Sequence, residues 1–179
     1  MKYVTPKGIQ AEEIKEIRKG LKMSQREFAD FVGVSKPTIE RWETSDKPIV
    51  GPIAMVVDML RREPAYEKKI RVPKKMMPLR LWYYHKSMVC TIIDVDELRQ
   101  WVEIHNYTDN LLFRAFGKVE APSFEQNKEF LESRCFPRQR DKQKILLRSL
   151  DIPFYDPFLI IEKTEGRMAE DDFWISIER

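Results

Sequence analysis

Over residues 11–21 the apolar positions are Ile14, Ile17 and Leu21, a spacing of three and four that puts them on one face of a helix. Gly20 weakens that helix near its end. The pattern then breaks and restarts. Ser24 and Glu27 form the S-x-x-E arrangement of a capping box, in which each side chain takes up the other's free amide at a helix start. Phe28, Ala29 and Val32 give this second helix its buried face. Gly33 offers the left-handed conformation that ends it, Ser35 is a fresh N-cap, and Pro37 fits the first turn of a third helix reaching about Glu43. DKPIVGP reads as a turn-rich loop, after which Ile53, Val56, Val57 and Leu60 mark another helical face. Four or five short helices therefore fill about 60 residues.

Residues 63–78 mix charges with three prolines and hold no sustained period, so they read as a linker. Beyond them LRLWYYH, SMVCTIIDV and QWVEIHN are rich in β-branched and aromatic residues, with HKS as a turn between the first two. They predict an antiparallel sheet of about three strands, and the final FWISIE alternates like an edge strand. Between them SFEQNKEFLESR, RQRDKQKILLRSL and DPFLIIEKTEG read as helices, the last ending at Gly166. The expected fold class is α+β overall. An all-α helix-turn-helix domain (1–62) and a charged linker (63–78) precede an α+β domain with a small antiparallel sheet (79–179).

Composition narrows the function classes. With 42% hydrophobic and 34% charged residues, the chain has a globular rather than a disordered balance. No run of about 18 apolar residues occurs, and the start lacks the apolar stretch of a secretory signal, so a cytoplasmic protein without a membrane partner is expected. Two cysteines, Cys90 and Cys135, without a CxxC suggest neither a disulfide framework nor a zinc site. The net charge of +3 hides an asymmetry: residues 1–75 hold 17 Lys+Arg against 11 Asp+Glu, and residues 76–179 hold 15 against 18. The basic first part suits a polyanion.

A helix, a glycine-containing turn and a second helix opening on a small polar residue make a helix-turn-helix, whose second helix enters the DNA major groove. IRKGLKMSQREFADFVGVSKPTIERWE resembles the lambda-repressor-like (XRE-type) DNA-binding domain. The likeness runs over residues 9–62, with Gln25 after Ser24, small Ala29, Gly33, apolar Val34 and Ile39, then Trp42 and Glu43. It implies that Ser35, Lys36, Pro37, Thr38 and Arg41 sit where such domains meet DNA, with Lys36, Pro37 and Arg41 facing base edges. It also implies that Gln25 and Thr44 hold phosphates, and Lys47 is a further expected phosphate contact. Arginine can pair bidentately with guanine O6 and N7. Pro37 departs from the polar residue common there, leaving only apolar contact such as a thymine methyl. Arg18 and Glu43 match a buried ion pair of the family that ties the first helix to the end of the third. Trp42, at helical spacing from Ile39, reads as core.

The second part carries weaker signals. Arg134, Arg138, Arg140, Lys142 and Lys144 crowd one loop and helix start, a cluster that reads first as a solvated face and second as a phosphate or acidic-partner site. Cys135 beside arginines raises the question of a low-pKa nucleophile, though no base stands near in sequence. Glu170, Asp171 and Asp172 could meet Asp94, Asp96 and Glu97 around a metal, with surface charge the commoner explanation. Residues 130–175 are similar to a short module associated with HipA-like toxin proteins of Gram-positive bacteria, which implies a toxin-antitoxin setting and a toxin-like protein partner for residues 79–179. No glycine-rich ATP loop or HRD-like sequence accompanies it.

The expected function is a sequence-specific transcriptional repressor that binds its own operator, double-stranded DNA, as a homodimer through residues 35–43. The alternative is an antitoxin-type protein that binds a toxin through its second domain and represses through its first. No catalytic activity, cofactor or metal is expected.

Overall fold

In the computed structural model, which describes residues 4–138 and 143–179, four helices follow one another as the apolar spacing predicts: α1 (Ala11–Gly20), α2 (Gln25–Val32), α3 (Lys36–Glu43) and α4 (Pro52–Arg62). Each boundary has a local cause. The Ser24 hydroxyl accepts from the Glu27 amide at 3.2 Å while the Glu27 carboxylate accepts from the Ser24 amide at 2.7 Å, closing the capping box. Gly33 stands at φ 74°, and the Gly33 and Val34 amides donate back to the Asp30 and Ala29 carbonyls, a Schellman ending for α2. Ser35 holds the N-cap position of α3 without a side-chain bond to the helix amides, and Pro37 stands in the first turn. After α3, Ile49 exchanges backbone hydrogen bonds with Ile9 at 2.8 and 2.9 Å, returning the chain to the start of the unit.

The core of this unit is built from Ile14, Phe28, Ile39 and Val57, all without exposed surface, with Ala29, Ile53 and Ala54 around them. Each large side chain so buried contributes about 1.5–3 kcal/mol. Trp42 is half-buried against this cluster, as core. Part of the expected linker is a short helix, α5 (Tyr66–Ile70), whose Glu67 is buried and paired with Arg71. The chain divides into two units at this point, Met1–Arg71 and Val72–Arg179.

The second unit is α+β. Strands β1 (Leu79–His85), β2 (Met88–Asp96), β3 (Trp101–Asn106) and β4 (Phe173–Glu178) form one sheet in the order β3-β2-β1-β4, with every neighbouring pair antiparallel. The alternating C-terminal segment is the edge strand beside β1. Register places Leu79, Val95 and Val102 in one row and Leu81, Ile93, Ile104 and Ile177 in the next, on a single face. Helices α6 (Phe124–Ser133), α7 (Gln143–Ser149) and α8 (Pro157–Thr164) bring Phe130, Leu131, Leu147, Ile160 and Ile161 into the core formed with that face. On the other face Arg80 and Asp94, adjacent in register, form a buried bidentate pair at 2.6 Å for both bonds. Arg80 also donates to the Pro73 carbonyl at 2.8 Å. No helix among the described residues is long and apolar enough to cross a membrane.

Candidate nucleic-acid interface

Helix α3 is held from behind and open in front. Ile39 and Glu43 are its buried residues, while Lys36, Pro37 and Arg41 are exposed. Five residues turn an α-helix by about 140° beyond one full turn, so Lys36 and Arg41 do not share one ridge. Pro37 and Arg41, four apart, do. Lys36 belongs to the neighbouring ridge, where it pairs with Glu40 at 2.8 Å in the open. The Arg41 side chain makes no hydrogen bond or ion pair among the described residues, so its guanidinium projects with all its donors unspent. Ser35 and Thr38 share a hydroxyl-hydroxyl hydrogen bond of 2.9 Å at the helix start.

The phosphate-type positions flank this helix. Thr44 follows its last residue, with the hydroxyl donating to the Glu40 carbonyl at 2.9 Å. Lys47 is exposed in the next loop, where Ser45 Oγ accepts from its amide at 3.1 Å and donates to its carbonyl at 2.8 Å. Gln25 opens α2, and its Nε2 donates to Glu43 Oε2 at 2.8 Å. That bond was not foreseen. No pattern of apolar or charged spacing shows it, because it joins residues 18 positions apart.

The expected pair of Arg18 and Glu43 is present. Arg18 Nε donates to Oε1 at 2.6 Å and Nη2 to Oε2 at 3.1 Å, while Nη1 donates to the Met23 carbonyl at 3.0 Å. One carboxylate thus joins α1, the start of α2 and the end of α3. Burial pushes the Glu43 carboxyl up, but the hydrogen bonds from Arg18 and Gln25, with the charge of Arg18, outweigh it and leave it below its ordinary value. The Arg18 guanidinium is raised by the same carboxylate.

In the second unit one expectation, the solvated reading of Arg134, needs correction, and two alternatives raised by the sequence find no support in the geometry. Arg134 is not part of a solvated cluster: it is 7% exposed, donates twice to the Gly166 carbonyl and once to the Phe173 carbonyl, and pairs with Asp171 at 2.6 Å. Arg138 pairs with Glu132 and lies over the Tyr155 ring, Lys144 is exposed, and Arg140 and Lys142 lie outside the described residues. The acidic residues do not assemble: Asp171 is taken by Arg134 and Asp94 by Arg80, and no group of three metal-ligating side chains occurs among the described residues. Cys135 is no low-pKa nucleophile. Burial pushes its thiol up to about 12, and it donates to the Leu131 carbonyl at 3.2 Å.

Among known protein families, the helix-turn-helix model matches residues 14–49, from within α1 to Ile49. It covers α2, α3 and the loop carrying Thr44 and Lys47. No curated protein matches the chain. Residues 14–49 are therefore a DNA-binding helix-turn-helix of the XRE-like kind, and the match does not extend into the second unit.

Proposed function

We propose that the protein is a transcriptional repressor that reads its own operator as a homodimer through α3. The exposed ridge of Pro37 and Arg41 carries this reading. It stands on a helix fixed by Ile39 and Glu43, and Thr44, Lys47 and Gln25 lie beside it. In this reading Arg41 takes a guanine edge, Pro37 touches a thymine methyl, and Lys36, Ser35 and Thr38 line the approach to the bases. Gln25, Thr44 and Lys47 position the backbone. One such small reader makes few contacts, and a two-fold pair doubles them on half-sites one helical turn apart.

The same reading takes the second unit as non-catalytic and the protein as acting in the cytoplasm, where its operator is. Its candidate nucleophile Cys135 is buried, and the His85 ring packs against both Phe113 and Phe173 at 4.3 and 4.9 Å.

The test is a gel-shift titration on the upstream region against scrambled DNA at two salt concentrations. Arg41→Ala should relax discrimination by about 1–3 kcal/mol for a lost bidentate contact, while nonspecific binding persists. Lys47→Ala should weaken every sequence alike and reduce the salt slope by about one. Discrimination left untouched by Arg41→Ala removes α3 as the reader. A second chain that co-purifies with the protein and changes its affinity for the operator would support the antitoxin-type alternative.

A further inference from the structure

The two edges of the sheet in the second unit are finished differently. Just past β3 the Tyr107 amide donates to the Cys90 carbonyl of β2 at 2.9 Å. By the alternation of an antiparallel ladder, Glu103 and His105 also bond to β2, while Val102, Ile104 and Asn106 turn their N–H and C=O groups outward. On the opposite edge the outward groups of β4 find partners within the unit. The Ile175 amide donates to the Glu165 carbonyl at 2.7 Å, and the Phe173 carbonyl accepts from Arg134 at 3.1 Å. The outward backbone groups of Val102, Ile104 and Asn106 have no such partner among the described residues. An open edge of this kind is a template for a further strand. It also lacks the usual guards, since WVEIHN holds no proline or lysine and its ladder to β2 runs without a bulge.

The side chains of β3 select the strand that fits. Glu103 and His105 are exposed, and Glu103 stands beside Asp94 in register, on the face away from the helices. Two β3 strands related by a two-fold axis run antiparallel, and the axis can fall at Glu103, Ile104 or His105. At Glu103 it sets two carboxylates directly opposite each other, which is destabilising. At His105 it sets imidazole against imidazole and carries Val102 past the end of the other strand. At Ile104 it pairs Val102 with the partner's Asn106 and uses every outward group of the three residues. Each Glu103 then lies opposite the partner's His105, a carboxylate facing an imidazole N–H. Trp101 Nε1 donates to Glu103 Oε1 at 3.3 Å, leaving Oε2 for that contact. On the helix-covered face Ile104, half-buried against the core, meets the partner's Ile104 and carries the apolar layer through the axis.

We propose that β3 pairs with β3 of a second copy about a two-fold axis at Ile104, joining the two sheets into one. This rests on the homodimer reading above and names the surface that makes the dimer.

Sedimentation equilibrium of the full chain, with amide hydrogen exchange at high and low protein concentration, tests it. The Val102, Ile104 and Asn106 amides should exchange more slowly in the dimer than in the monomer. Glu103→Lys sets a lysine against the partner's His105 and should raise the dimer dissociation constant roughly tenfold. Adding His105→Glu should restore it. Both side chains are exposed, so the melting temperature of the diluted monomer should stay the same. A dimer whose amides over residues 102–106 exchange as in the monomer overturns this surface and leaves the homodimer standing. So does an affinity that survives Glu103→Lys or fails to return with the swap. A full chain that stays monomeric overturns both, leaving the edge to a strand of another protein.

Discussion

Glu43 is 3% exposed, and the groups around it are unequal in what they contribute. Arg18→Ala removes the ion-pair partner of Glu43 and leaves a buried carboxylate with the Gln25 amide beside it, so a loss of about 3–5 kcal/mol is expected in urea unfolding. Arg18→Met combined with Glu43→Leu removes both charges and should recover most of that loss. Acid provides a second readout. The folded Glu43 carboxyl lies below its ordinary 4.5, so its stabilisation is complete above that value and fades as pH falls through the folded one. Asp171, held low by its hydrogen bond from Arg134, acts with the same sign in the second unit. Melting temperature should therefore fall on acidification below about pH 4.5, and the double variant should lose the Glu43 share of that slope.

Among the elements, the helical segments were legible where a cap coincided with a change of period. Ser24 with Glu27 and Gly33 set α2 from local chemistry, so sequence alone fixed both its ends. Gly33→Ala should cost about 1 kcal/mol or more in thermal unfolding, because φ 74° disfavours a side chain although the surrounding space is open. Strands β1 to β4 were legible from alternation and from β-branched and aromatic content. Their order was not, since β4 reaches β1 across almost the whole second unit. Residues 107–122 form neither helix nor strand. Backbone turns such as Phe113 to the Asn110 carbonyl and side-chain bonds hold them, with Arg114 donating to the Thr108 carbonyl and to Glu120 at 2.8 Å each, and the Ala115 amide donating to Thr91 Oγ1 at 3.2 Å. At the candidate site the exposure of Lys36, Pro37 and Arg41 on α3 agrees with the family resemblance. The Gln25 bond to Glu43 and the burial of Arg134 were not legible, because both depend on partners far along the chain.

For the whole molecule, the unit boundary reshapes the charge pattern. Residues 1–71 hold 15 Lys+Arg against 11 Asp+Glu and residues 72–179 hold 17 against 18, so the first unit is less basic than a cut after residue 75 suggests. Lys74 and Lys75 belong to the second unit, where Lys75 donates to the Glu178 carbonyl at 3.1 Å. Each unit has its own apolar core. A fragment of residues 1–71 should therefore fold with a single cooperative transition and bind the operator more weakly than the full chain. Equal affinity would remove the second unit from the proposed dimer.

The chain's two thiols, Cys90 and Cys135, are both in that second unit, and both are enclosed by it. Burial raises both above the ordinary thiol value, so neither offers alkylating reagents a ready thiolate while the unit stays shut. They amount to an internal stopwatch. The rate at which a thiol reagent marks the intact protein times the opening of one unit, while the cysteine-free first unit stays silent on the same trace.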